Sequence, residues 1–131
     1  MPESQPTIQV REILTVGVPV TDQDRALSFY VDTLGFDKRL DVPIGAGKRW
    51  IVVGAPRGTA TIALVAAGAE VPAGVETGIR LISRDVDTDH AALRGAGVDT
   101  SEILRWGGVP PMFAFRDQDG NGLEIVGEAG A

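Results

Sequence analysis

The chain has 131 residues, 44% of them apolar, a formal net charge of −6 and no cysteine. That length suits one ordinary domain, or two half-size modules sharing a core. The composition excludes disulfides, thiolate nucleophiles and Cys-ligated metal centres, the acidic balance argues against general affinity for nucleic acid or anionic membranes, and no apolar run approaches the ~20 residues that span a bilayer. Residues 1–11 are polar and lack an apolar h-region. They read as an N-terminal tail and not as a signal peptide, and the expected location is the cytoplasm.

The first strong pattern is Leu14-Thr15-Val16-Gly17-Val18-Pro19-Val20, whose apolar side chains fall on every second residue. It predicts a strand with Leu14, Val16, Val18 and Val20 under a helix and Thr15, Gly17 and Pro19 on the other face. Thr21 is the predicted N-cap of the helix that follows, with Asp24 at N3. Ala26, Phe29, Tyr30 and Leu34 form its apolar stripe, and Gly35 stops it. Three short strands are expected near Phe36–Leu40, Arg49–Val53 and Ala60–Val65, with turns at the intervening Gly and Pro residues. Gly45-Ala46-Gly47-Lys48 lacks P-loop spacing and reads as a hairpin turn.

After a Gly/Ala/Pro-rich segment the pattern repeats. Gly78–Ser83 reads as a strand, and Asp85-Val86-Asp87 opens a helix that ends at Gly95 and Gly97. Strands follow near Ser101–Leu104, Met112–Arg116 and Gly122–Val126. Asp22 and Asp24 correspond to Asp85 and Asp87 at an offset of 63, and Ile62–Val65 to Leu123–Val126 at 61. The expected fold is therefore α+β: two tandem βαβββ modules, residues 12–66 and 77–128, joined by a linker at 67–76, with a C-terminal tail at 129–131. Side by side, the two sheets would make a partly open, eight-stranded, barrel-like cleft. The two-residue period turns Gly78, Arg80, Glu124 and Val126 toward that cleft and predicts that Arg80 pairs with Glu124.

Two segments carry a resemblance. Val18–Phe36 (VPVTDQDRALSFYVDTLGF) and Phe115–Ile125 (FRDQDGNGLEI) resemble the first strand and helix, and the closing hairpin, of the vicinal oxygen chelate superfamily. That superfamily includes glyoxalase I, extradiol dioxygenases, and fosfomycin and bleomycin resistance proteins. Gln118 stands where its closing hairpin usually carries proline. The resemblance covers roughly residues 12 to 128 and speaks to fold more than to activity. In catalytic relatives, His and Glu side chains from the first, fourth, fifth and eighth strands hold a divalent metal. Those positions fall here on Thr15, Ala63, Gly78 and Glu124. Only the last is a serviceable ligand, and one carboxylate does not hold such an ion. The reading is no metal and no cofactor.

Glu124 has two readings: a ligand anchor or general base in the cleft, or a relic satisfied by Arg80. His90, the lone histidine, falls in the second helix and reads as structural. Trp50 and Trp106 are candidate stacking platforms for a planar ligand, with core or interface packing an equal alternative for each. Met112 and Phe113 are placed on the same wall as Trp106. The resulting expectation is a metal-independent homodimer that binds or sequesters a small, planar aromatic molecule, on the precedent of bleomycin resistance proteins. The alternatives are a lyase, isomerase or dioxygenase with an atypical metal set or Glu124 as base, and a pure interaction module.

Overall fold

The computed structural model describes residues 7–128, so the first six residues of the expected N-terminal tail and the C-terminal tail lie outside the described residues. Strand β1 (Thr15–Val20) leads into helix α1 (Gln23–Leu27), which continues as a π-helical turn over Ser28–Thr33. Strands β2 (Asp37–Gly45), β3 (Lys48–Gly54) and β4 (Thr61–Ala66) complete the first sheet. Strand β5 (Glu76–Ser83), helix α2 (Val86–Gly95) and strands β6 (Met112–Arg116) and β7 (Gly122–Gly127) follow. The sheets run β1-β4-β3-β2 and β5-β7-β6. In each, the strand before the helix pairs in parallel with the last strand of its half. No helix among the described residues is long and apolar enough to cross a membrane.

Several local expectations are corrected. The N-cap of α1 is Asp22, whose carboxylate accepts from Arg25 N at 3.1 Å. Thr21 turns away instead, and its amide and hydroxyl donate to the Asp119 carboxylate at 3.1 and 2.5 Å. The second half of the first helix widens to a π turn, marked by Leu34 N donating to Phe29 O at 2.9 Å. Both neighbouring aromatics then reach inward: Tyr30 is buried, and Phe29 stacks on Phe115 with centroids 6.4 Å apart. Gly35 ends the segment at φ 84°, a left-handed conformation that glycine adopts without strain.

The expected strand at Ser101–Leu104 is reduced to two isolated bridges, Thr100 to Phe115 and Leu104 to Met112. Between them Ala114 N donates to the Ser101 hydroxyl at 2.9 Å, so a side chain replaces a backbone acceptor and the ladder breaks. The described residues thus form seven strands. Leu14 and Val16 are also exposed, not covered. Val16 lies near the start of β1, an edge strand, and Leu14 just before it, short of the part that carries buried Val18 and Val20.

The covered faces of both sheets feed one core. Val18, Val20, Ile51, Val53, Ile62 and Leu64 come from the first sheet, and Phe113, Phe115, Leu123 and Ile125 from the second. Ala26, Tyr30, Val86 and Leu93 fill the space from the helices. The turn Asp117–Asn121 ties the halves together. Asn121, fully buried, donates to Pro19 O at 2.8 Å and to Asp117 Oδ2 at 3.0 Å, while its Oδ1 accepts from Gly74 N and Val75 N at 2.8 and 3.0 Å. Asp117 accepts from Tyr30 OH at 2.8 Å. Burial and the adjacent Asp117 carboxylate push the Tyr30 pKa far above the usual phenol value, which keeps it a neutral donor. Asp119 is opposed by its own burial, yet hydrogen bonds from Thr21 and Gln118 hold its pKa below the usual carboxylate value.

Candidate ligand-binding faces

Opposite the shared core, each sheet leaves one face open. On the first sheet the pairs Gly17–Ala63, Pro19–Val65, Ala63–Val52, Val52–Leu40 and Trp50–Val42 place these side chains together. The alternation carries Ile44 onto the same face, making it almost wholly apolar. Trp50, 37% exposed, stands beside exposed Val42 and Leu40. An apolar surface of this extent on a folded chain marks an interaction site more often than an accident.

The open face of the second sheet is graded. Its first row is an ion pair between Glu76 and Arg116, reaching across Gly122. Its second row is Arg80–Glu124, with Nε to Oε1 at 2.9 Å and Ala114 alongside. Its third row is Ile82, Val126 and Met112, with Leu104 bridged to the last of these. A hollow of about 200 Å³ lies among Glu76, Gly78, Ala114, Gly122 and Glu124. Beyond the apolar row, Arg105 pairs with Asp87 and the chain turns at Gly108 (φ 82°). Trp106 is 59% exposed in that turn.

The expected pairing of Arg80 with Glu124 is present. Met112 shares their face, but Phe113 does not. Phe113 is 1% exposed in the core, with its ring edge-on to His90 at 4.8 Å, because adjacent strand residues point to opposite faces. Trp50 lies in β3 and Trp106 in the loop before β6, in different halves of the chain, and neither enters a ring contact among the described residues. His90 Nε2 lies 2.8 Å from Ser101 O, a structural tie between α2 and the broken strand. Glu76 and Arg116 join this face in addition to the residues expected from the sequence. The signal was available for Arg116, since the two-residue period of the closing hairpin puts it on the Glu124 face.

The four positions where metal-binding relatives carry ligands do not fit a metal. Thr15 and Ala63 lie on the open face of the first sheet, and Gly78 and Glu124 on the second. Ala63 and Gly78 offer no donor, and Glu124 is already paired. Thr15 contributes a buried hydroxyl without a hydrogen-bond partner, a poor ligand for a divalent ion. No cluster of three or more His, Asp or Glu able to hold a metal occurs among the described residues. Gly78 also sits at φ 73°, in a slip of the β5–β7 register between Glu76 and Arg80. Gly78→His is therefore expected to cost about 1–2 kcal/mol from left-handed backbone strain. This variant should not gain melting temperature with Ni²⁺, Zn²⁺ or Mn²⁺. A metal-dependent rise in differential scanning fluorimetry would contradict this.

A β-α-β-β-β half followed by a β-α-β-β half, each with a parallel first-to-last strand pair and an uncovered sheet face, defines a glyoxalase-like α+β protein. Residues 12–125 match the Glyoxalase/Bleomycin resistance protein/Dioxygenase superfamily, and the chain belongs to it. It is similar to TnmS3, an antibiotic binding protein from Streptomyces sp. CB03234, at TM-score 0.82 and 31% identity over 93% of this chain and 99% of that one. A member of the superfamily from Sphaerobacter thermophilus superposes at TM-score 0.83 with 31% identity, over 92% and 100% of the two chains. The uncharacterized Bacillus subtilis protein YurT is 32% identical over 126 residues, covering 88% of this chain and 98% of YurT.

Proposed function

We propose that this protein binds and sequesters a small, planar aromatic molecule, without a metal, between the open faces of its two kinds of sheet. The observation that carries this reading is the contrast between those faces. One is an apolar wall around Trp50. The other is a glycine- and alanine-floored surface with the Arg80–Glu124 pair in its middle row. Aromatic stacking on the first and hydrogen bonding on the second would orient a flat ligand. Both open faces turn away from one common core, so a two-walled groove forms when the first sheet of one copy meets the second sheet of another in a homodimer. Trp106 and Met112 then border the apolar end of the groove. The likeness to an antibiotic binding protein supports a binding role. Engagement of Glu124 by Arg80 favours recognition over proton abstraction by that carboxylate.

Tryptophan fluorescence tests the reading. Titration with a panel of planar aromatic compounds is expected to quench emission saturably, with the same Kd in EDTA as in added divalent metal. An absence of quenching across the panel, or quenching that needs a metal, would remove the proposal's support.

A further inference from the structure

The two ion pairs on the second sheet are built in opposite senses. In the Arg80–Glu124 pair the arginine side chain is 68% exposed and the glutamate 36%. In the Glu76–Arg116 pair the glutamate is 73% exposed and the arginine 42%. The outer partners, Arg80 and Glu76, are solvated groups whose exposed pairing contributes little, so both swing into water at small cost. The inner partners stay. Glu124 is fixed in mid-strand beside Ala114, and Arg116 is steadied by Nη1 donating to Gly120 O at 3.1 Å. Arg116 faces Gly122 and Ala114 faces Glu124 across the β6–β7 ladder, so Arg116 and Glu124 are diagonal neighbours on one face. Such neighbours stand about 7–8 Å apart. Between them lies a floor of Gly122 and Ala114, without side chains large enough to obstruct a ring.

We infer that this surface selects an amphoteric ring: a planar ligand carrying an anionic acceptor at one end and a cationic donor at the other. The acceptor displaces Glu76 and takes the fork of Arg116. The donor displaces Arg80 and binds the Glu124 carboxylate. An arginine fork matches a carboxylate bidentately, and charge-assisted hydrogen bonds are the stronger kind. This inference rests on the proposed binding role and adds the chemical class of the ligand, with Arg116 and Glu124 as its specificity-determining residues.

Four para-substituted rings test it: 4-(aminomethyl)benzoate, 4-methylbenzoate, 4-methylbenzylamine and the neutral 4-methylbenzyl alcohol. Affinities would be read from amide shifts in the full-length protein. The zwitterion is expected to bind about tenfold tighter than either singly charged ring. Arg116→Gln should bring it down to the affinity of the amine, and Glu124→Gln to that of the carboxylate. If the neutral ring binds and the zwitterion gains nothing over it, the amphoteric inference falls and the binding role stands. If none of the four perturbs either open face, both fall.

Discussion

Asn121→Ala is expected to lower unfolding free energy by about 3 kcal/mol and Tm by about 10 °C. Four hydrogen bonds meet at this one side chain, linking β1, the closing turn and the segment before β5. Alanine leaves the Gly74 and Val75 amides, the Pro19 carbonyl and the inner oxygen of Asp117 short of a partner. An unsatisfied buried group costs more than an average hydrogen bond contributes. Asn121→Asp should fare little better, since a carboxylate cannot donate to Pro19 O and sets a second charge beside Asp117. Urea denaturation checks this. A loss below about 1 kcal/mol would mean that water replaces the side chain and that the turn does not hold the halves together. The Asp-Gln-Asp-Gly-Asn motif is therefore structural. Its conformation also sets where β7, and with it Glu124, emerges onto the open face.

Trp50→Ala is expected to weaken binding of a planar aromatic ligand by about 10- to 30-fold, with little loss of stability. Trp50 is the largest side chain on the open face of the first sheet and lies outside the buried core. Its removal takes away a stacking surface without opening an interior cavity. Trp106→Ala should have a smaller effect, because its loop only borders the face. Equilibrium dialysis measures both without relying on tryptophan emission. Unchanged affinity in Trp50→Ala would move the ligand away from the first sheet.

Where two-residue periodicity ran unbroken, the sequence was a reliable guide. It placed Arg80 beside Glu124 and sent Val18, Val20, Leu123 and Ile125 into the core. The same rule separates Met112 from Phe113, so placing both on one wall was an avoidable error of parity. Other features depend on contacts between residues far apart in the chain. Thr21 lost the N-cap to Asp22 because Asp119, 98 residues away, accepts both of its donors. The missing eighth strand turns on the Ser101 hydroxyl accepting one amide of β6. The π turn lets Phe29 and Tyr30 face the core together, which a 3.6-residue helix wheel does not anticipate. At the site, Glu76 reaches Arg116 only because the β5 register slips at Gly78 and because Gly122 leaves room. No local pattern announces either.

Metal-free binding between two sheet faces is tested by an amide chemical-shift map of the protein in EDTA, titrated with an aromatic compound that quenches its fluorescence. Perturbations should gather at Trp50, Val52, Ala114 and Glu124, on the open faces of both sheets, while α1 and α2 stay unmoved. Perturbations confined to the hollow between Leu34, Phe36, Leu81 and Leu93, on the helical side, would contradict it.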